Sequence, residues 1–140
     1  MNIGLKIVND IDGDPVVSGC YGKEAAFDCY NCDITKFNRK DLRKFFTQLV
    51  KLLKMKKGDL HFWDDVGVAK KDKQTRLETT GTSAVQFILT SNITVHCLDK
   101  LARVYINIFS CKDFDEGNAK TFIQNWFDAK WVRTHVMYRI

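Results

Sequence analysis

Three short segments in the second half of the chain alternate apolar and polar residues, and only short connections separate them. The segments are Ala84–Leu89, Ile93–Leu98 and Arg103–Phe109. Successive side chains of a β-strand point to opposite faces, so this alternation predicts strands with one buried face. The connection at Asp99–Lys100 is typical of a tight turn between antiparallel strands. The sequence therefore predicts an antiparallel sheet.

Further strands frame this central group. Short runs rich in apolar and aromatic residues predict strands at Glu24–Tyr30, Leu60–Val66 and Trp131–Tyr138. Between the predicted strand Leu60–Val66 and the central group, the segment Val68–Thr82 is polar, charged and aperiodic, which predicts a mobile loop.

Two segments have the apolar spacing of an amphipathic helix. The first is predicted to begin at the N-cap Asn38 and to end with Gly58, and the second spans Asp115–Phe127. The order of elements predicts one α+β domain over residues 1–140, a two-layer α/β sandwich with two helices on one face of a mostly antiparallel sheet. The other face needs cover, so we expect a homodimer that packs sheet against sheet or edge to edge.

The length and composition of the chain bear on its number of domains and its cellular location. A chain of 140 residues with 45% hydrophobic residues and ten phenylalanines is long enough for one domain with a packed core. The N-terminal segment Met1–Lys6 lacks the apolar stretch of a signal peptide, and no apolar run approaches membrane-spanning length. We therefore expect a cytoplasmic protein that does not insert in a membrane.

The chain has five cysteines, an odd number in a sequence without an export signal. Free thiols are therefore expected rather than disulfides. The spacing Cys29-x-x-Cys32 occurs in zinc and redox sites, but a second close pair of ligands is absent. The adjacent His96 and Cys97 would point to opposite faces of a strand, so no metal site is predicted.

The net charge of +5 is unevenly distributed, with basic residues crowded in Arg39–Lys57 and Lys70–Arg76. Such patches can bind nucleic acid, and a small nucleic-acid-binding domain is one alternative function. A solvated helix face and a charged loop explain the same charges, and no recognised nucleic-acid motif is present. The solvated face is the interpretation that we favour.

A serine, a histidine and a cysteine lie on or beside two consecutive predicted strands. Ser91 begins a strand after a bend, from where its hydroxyl can attack the carbonyl carbon of Thr90. The amide would become an ester, and elimination and hydrolysis would cleave the chain between Thr90 and Ser91 and convert Ser91 into a pyruvoyl group. That group would bind a substrate amine and act as the electron sink for decarboxylation, as pyridoxal phosphate does elsewhere.

Other side chains would supply the proton transfers. An imidazole can accept and donate protons, so His96 can assist cleavage, whereas Cys111 can serve as the general acid that reprotonates the substrate carbanion. Ser83, eight residues before Ser91, is expected on the neighbouring strand and can assist either step. Each residue alone also has an ordinary structural role, as a turn serine, a half-buried sheet histidine or a small core cysteine.

The stretch Thr90–Lys100 resembles a block of the S-adenosylmethionine decarboxylases of bacteria and archaea, roughly Glu-Ser-His-hydrophobic-Ser-hydrophobic-His-Thr-Trp-Pro-Glu. In that family hydrophobic-Asp-hydrophobic-Phe-Thr-Cys follows, and Ile106–Cys111 is similar to it. The stretch Phe27–Cys32 also resembles the family's first strand. The resemblance spans about residues 24–127 and implies an α/β sandwich that is active as a dimer with shared sites.

The resemblance implies a role for each candidate residue. Ser91 falls on the processing serine, His96 on the processing histidine and Cys111 on the catalytic cysteine. Ser83 falls on the family's second serine. The cofactor is then a pyruvoyl group made from Ser91, and the partners are a small amine substrate and a second copy of the chain.

This sequence departs from the family's block at several positions. Thr90 and Asn92 replace a glutamate and a histidine, and Leu98-Asp99-Lys100 replaces the Trp-Pro-Glu that in the family helps hold the nucleoside. Leucine cannot stack as an aromatic ring does, and lysine has no acceptor for ribose hydroxyls. Three outcomes fit: decarboxylation of S-adenosylmethionine in polyamine (spermidine) biosynthesis, decarboxylation of arginine or ornithine, or an unprocessed relative that binds without catalysis.

Overall fold

A computed structural model describes residues 20–140 in full. Of the residues before them it describes only the backbone of two short antiparallel strands, β1 (Ile7–Asn9) and β2 (Pro15–Val17). The segment 1–6, on which the prediction about export depends, lies outside the described residues. Within the described part of the chain, no helix is both long and apolar enough to span a membrane.

Six antiparallel strands form the main sheet. They are β3 (Gly22–Tyr30), β4 (Lys57–Trp63), β5 (Gly81–Ile88), β6 (Ser91–Leu98), β7 (Arg103–Ser110) and β8 (Trp131–Arg139). Their order across the sheet is β4-β5-β6-β7-β3-β8. Strands β5, β6 and β7 form a meander with short turns, as their alternating sequences predict. The meander fills the centre of the sheet.

Two helices, α1 (Arg39–Leu52) and α2 (Glu116–Phe127), pack on one face of this sheet. Strand side chains at alternate positions face them, and Phe27, Ile93, Val95 and Ile106 are almost completely buried. Burying a side chain of this size stabilises the fold by about 1.5–3 kcal/mol. The predicted α+β sandwich with two helices on one face is confirmed.

The first helix begins as predicted but ends earlier. The side chain of Asn38 accepts a hydrogen bond from the backbone nitrogen of Asp41 at 2.9 Å, which caps the N-terminus. The helix ends at Leu52 because Lys54 adopts a left-handed conformation (φ 56°), and the nitrogen of Met55 bonds back to the carbonyl of Val50 at 3.0 Å. This is the usual C-terminal closure of a helix, here without glycine.

Gly58 therefore lies in a strand, so its predicted role at the helix end is wrong. Strand β4 begins at Lys57 and stops at Trp63, earlier than predicted, because the carboxylate of Asp64 accepts the backbone N–H of Val66 at 3.0 Å and turns the chain. The predicted loop after it contains a short 3-10 helix at Lys70–Asp72 and ends where β5 begins, at Gly81.

Candidate active site

The turn between β5 and β6 sets the position of Ser91. Only Leu89 and Thr90 connect the two strands, since Ile88 pairs with Ser91 across the hairpin. Thr90 has a φ of 56°, in the left-handed region that a β-branched residue rarely adopts. Such a conformation costs of the order of 1–3 kcal/mol. Thr90, on the N-terminal side of the peptide bond to Ser91, is therefore a strained residue.

Cys111 lies beside Ser91 because β6 and β7 are antiparallel. Their register pairs Asn92 with Phe109, which brings the start of β6 to the end of β7. The backbone nitrogen of Cys111 donates to the hydroxyl of Ser91 at 3.4 Å, a long hydrogen bond. The thiol of Cys111 lies 3.0 Å from the hydroxyl oxygen of Thr90. Three functional groups thus meet at one end of the sheet.

These residues line a cavity of about 300 Å³, here called the cysteine cavity. Its wall is completed by Met55 and by three lysines: Lys54, Lys56 and Lys112. Lys54 and Met55 come from the turn that ends α1, and the ammonium of Lys112 donates to the carbonyl of Lys54. Three basic side chains around one opening attract anionic groups.

The environment of Cys111 favours its ionised form. The hydroxyl of Thr90 holds the pKa of this thiol below its usual value, against a smaller opposing effect of burial, and the Ser91 hydroxyl acts in the same direction. A thiol with a lowered pKa and partial exposure is more reactive than a buried one. The position of Cys111 beside Ser91 and the lowered pKa of its thiol are therefore both consistent with a reactive residue.

A buried lysine anchors the segment that follows Cys111. Lys23 is 3% exposed and pairs in the sheet register with Ser110. Its ammonium donates to the carboxylate of Glu116 at 2.6 Å and lies 3.2 Å from that of Asp113. It also lies 4.5 Å from the centre of the Phe114 ring. Buried charges with several partners fix geometry, so Lys23 ties β3 to the loop that carries Cys111.

Ser83 and His96 form a separate pair. They face each other across β5 and β6, and the Ser83 hydroxyl lies 2.8 Å from Nδ1 of His96. They line a larger cavity of about 520 Å³, here called the histidine cavity. Its wall includes Trp63, Asp64, Asp65, Glu78, Leu98 and Tyr105. The prediction that Ser83 lies on the strand next to that of Ser91 is confirmed, and its contact with His96 was not predicted.

The two groups lie apart within one chain. Ser91 shares the helix-covered face with Val95 and Cys97, whereas His96 is exposed on the opposite face. Five residues of strand separate Ser91 from His96 along β6, which corresponds to roughly 16 Å. The structure thus brings together Ser91 with Cys111 and Ser83 with His96, but it does not bring the two pairs together.

Sequence reasoning missed two features of these cavities. Thr90 was noted for its carbonyl carbon at the cleavage position and for replacing a glutamate, but not for its hydroxyl, which contacts the Cys111 thiol. Trp63, with 84% of its surface exposed, contributes an aromatic ring to the histidine cavity, whereas Leu98 in the same wall has no ring. An aromatic residue inside the predicted strand Leu60–Val66, followed by two aspartates, was the available signal for the second feature.

The other cysteines have an environment unlike that of Cys111. Burial raises the pKa of the Cys29 thiol to about 12 and that of Cys32 to about 11, and it also raises that of Cys97. These three are reduced and almost fully buried. Among residues 20–140 and the two short strands, no group of histidine, cysteine or carboxylate side chains has the arrangement of a metal site.

The basic residues of α1 point away from the core, and two of them have partners. Arg39 makes two hydrogen bonds of 2.6 Å to the carboxylate of Asp64, and Arg43 lies 5.1 Å from the centre of the Phe62 ring. Both interactions tie α1 to β4 and the residues after it. Part of the basic surface therefore has a structural role.

Comparison with known proteins places the chain among relatives. The family model described as S-adenosylmethionine decarboxylase matches residues 23–140. The crystal structure of the adenosylmethionine decarboxylase from Aquifex aeolicus VF5 is similar in fold, with a TM-score of 0.67 and 19% sequence identity over 86% of this chain and 91% of that chain. No curated protein matches the sequence.

Proposed function

Because the chain belongs to the S-adenosylmethionine decarboxylase family, we propose that it is a decarboxylase that makes its own pyruvoyl group by cleavage between Thr90 and Ser91. The observation that carries this proposal is the cysteine cavity, where Ser91 and Cys111 lie together beside a strained turn. A nucleophile, the bond that it would break and a proton donor are therefore neighbours.

Cleavage would start with attack of the Ser91 hydroxyl oxygen on the carbonyl carbon of Thr90. An ester bond forms, the amide bond breaks and Ser91 keeps a free amine. Loss of the Ser91 Cα proton then expels the Thr90 carboxylate, and water replaces the nitrogen, which leaves as ammonia. Cleavage relieves the left-handed conformation of Thr90, whose strain thus favours the forward direction.

The residues around Ser91 fit a pyruvoyl group and its substrate. When present, that group supplies the electron sink for loss of carbon dioxide. The thiol of Cys111, which lines the same cavity as Ser91 and interacts with its hydroxyl, would return a proton to the substrate carbon as a general acid. The ammonium groups of Lys54, Lys56 and Lys112 would draw a substrate carboxylate towards the cavity.

The Ser83–His96 pair would serve the cysteine cavity of a second copy of the chain. His96 is too far from Ser91 along β6 to act on it in the same chain, and it lies on the face of the sheet that no helix covers. A homodimer in which the open face of one copy packs against the β6 start of the other would bring His96 of the first copy towards Ser91 of the second. The separation of the pairs thus favours a shared site.

The charges of the two cavities favour an amino-acid substrate with a distal positive charge. Lysines surround the cysteine cavity, whereas Asp64, Asp65 and Glu78 lie around the histidine cavity beside the exposed ring of Trp63. S-adenosylmethionine has a carboxylate, a cationic sulfonium and an adenine that an aromatic ring can stack on. Its decarboxylation in the cytoplasm would supply spermidine synthesis.

Arginine and ornithine share the same distribution of charge, and the histidine cavity does not repeat the family's nucleoside contacts. Leu98 lines this cavity, and the ammonium of Lys100 donates to the backbone carbonyl of Thr75. Carbon dioxide release from the three amino acids, compared at equal concentration, decides among them. S-adenosylmethionine is expected to react fastest because Trp63 offers a stacking surface.

The first test is the intact mass of the purified protein and of its Ser91→Ala variant. We expect two fragments of about 90 and 50 residues from the cleavage position, the second without a free amine, and one uncleaved chain from the variant. Thr94→Ala is the matched control, since Thr94 lies on the same strand and lines neither cavity. One uncleaved chain in all three proteins would contradict the proposal and favour a non-catalytic relative.

A further inference from the structure

The hydroxyl of Thr90 is placed to interact with both forms of the Cys111 thiol. It lies 2.7 Å from the carbonyl oxygen of Leu89 and 3.0 Å from the sulfur of Cys111. A hydroxyl has one proton and two acceptor lone pairs. When the thiol is protonated, it can donate to Thr90 while Thr90 donates to Leu89. When the thiol is ionised, Thr90 can turn its proton to the sulfur.

The backbone, rather than a flexible side chain, fixes this contact. Thr90 is the second residue of a two-residue connection, and its left-handed φ directs its short side chain towards the end of β7. Cys111 follows directly after β7, in a loop that Lys23 anchors. The turn and the sheet register therefore keep the two residues adjacent.

We propose that Thr90 is a positioning residue whose hydroxyl holds the Cys111 thiol beside Ser91 until the chain is cleaved. The inference rests on the proposed function for its purpose, though the contact itself does not depend on cleavage. The lowered pKa of Cys111, with the Thr90 hydroxyl as its largest cause, is consistent with it. Other residue types at this position, including glutamate, would not offer the same hydroxyl.

Cleavage would end this arrangement, because Thr90 is on the N-terminal side of the broken bond and Cys111 is on the C-terminal fragment. If Thr90 moves away, the thiol loses the hydroxyl that stabilises its anion. If Thr90 stays, its new carboxylate lies near the sulfur and opposes a second negative charge. Both changes favour the protonated thiol, which is the form that a general acid needs.

The test measures the pH dependence of Cys111 alkylation by iodoacetamide in the uncleaved Ser91→Ala chain, with the modified cysteine located by peptide mass spectrometry. A second substitution, Thr90→Val, removes the hydroxyl but keeps the branched shape and therefore the backbone strain. We expect this substitution to move the pH midpoint of Cys111 alkylation to a higher value and to lower the alkylation rate at neutral pH several-fold. Thr90→Ser, which keeps a hydroxyl, should retain the original midpoint.

An unchanged midpoint in the Thr90→Val chain would overturn the inference, whether or not the natural chain is cleaved. Conversely, a shifted midpoint in a protein that never cleaves would support the contact and count against the proposed function. In cleaved natural protein, the midpoint should be higher than in the Ser91→Ala chain. Neither of these two proteins carries the Ser91 hydroxyl, because cleavage converts that residue into a pyruvoyl group, so a lower midpoint after cleavage would contradict the switch.

Discussion

The two ends of strand β6 carry different chemistry. At its start, Ser91 is buried beside Cys111, next to a strained turn and within a ring of lysines. Near its end, His96 is exposed, pairs with Ser83 in regular sheet geometry and lies among carboxylates and an aromatic ring. The first end can be the place where a bond is broken, whereas the second offers a base and a surface for a cation.

The faces of the strand explain why the ends do not form one site. Residues at odd positions from Ser91 to Cys97 point to the helices, and residues at even positions point to the open face. Because Ser91 and His96 differ in parity, rotation of either side chain cannot bring them together. The two ends of β6 therefore do not form one site within a single chain.

The largest expected effect comes from mixing two inactive variants. Neither Ser91→Ala nor His96→Ala should cleave alone, because each lacks one half of every site. In co-expressed mixed dimers, the His96→Ala chain keeps Ser91 and receives His96 from its partner, so we expect this chain alone to be cleaved. Intact mass distinguishes the two chains. No cleavage in the mixture would indicate that His96 acts within its own chain, whereas cleavage of the His96→Ala chain by itself would indicate that His96 has no role.

A second test separates the two reactions at the Ser91 end. Cys111→Ser should leave cleavage largely intact but lower carbon dioxide release by about 100-fold or more, the usual contribution of a general acid. The measurement is release from S-adenosylmethionine, normalised to the cleaved fraction, with Thr94→Ala as the control. Loss of cleavage in the Cys111→Ser chain would instead assign the thiol to the processing step.

A third test asks whether the Cys111 end depends on its buried lysine. Lys23→Met removes the ammonium that holds Glu116 and Asp113, and we expect it to lower the free energy of unfolding by about 1–3 kcal/mol. Urea unfolding measures the change. Lys40→Met, at an exposed position of α1, is the control and should have little effect. Equal stability of the two variants would show that Lys23 is not an anchor.

The smallest effect is expected near the His96 end, in the pair between Arg39 and Asp64. Hydrogen bonding to Arg39 lowers the pKa of Asp64, so this pair stabilises the fold above the usual carboxyl range and ceases to do so as the pH falls through the lowered pKa. Asp64→Asn should reduce the urea midpoint slightly at pH 7, and the difference should shrink as the pH falls below the usual aspartate pKa of about 3.9 and vanish only below the lowered pKa. A difference that persists in acid would contradict this assignment.

The alternation along β6 and β7 allowed much of the fold to be predicted. Ile93, Val95 and Cys97 are buried where the period of two puts them, and Asn38 caps its helix. The errors fall at element ends, at Gly58 and around Val66, where local turns decide the boundary. Lys54 ended the helix without glycine, and the Asp64 side chain ended the strand, so no residue-type signal marked either position.

The candidate residues were found, but their grouping was not. Ser83 was expected on the strand next to that of Ser91 and lies there, and the register of the tight hairpin then pairs it with His96. The contact between Thr90 and Cys111 joins residues 21 positions apart through a backbone conformation that threonine rarely adopts. Propensity alone argues against that conformation, so only the turn and the sheet together reveal the contact.

The sequence by itself determined the sandwich, the position of the serine at a strand start and the types of group available for chemistry, because side-chain periodicity and residue chemistry are local properties. Only the tertiary structure decided which groups meet. The antiparallel register places the start of β6 beside the end of β7. The alternation of side chains along β6 places His96 on the face opposite to that of Ser91. The loop from Asp64 to Thr80 places carboxylates around His96. Long-range packing sets these distances, and no local pattern records them.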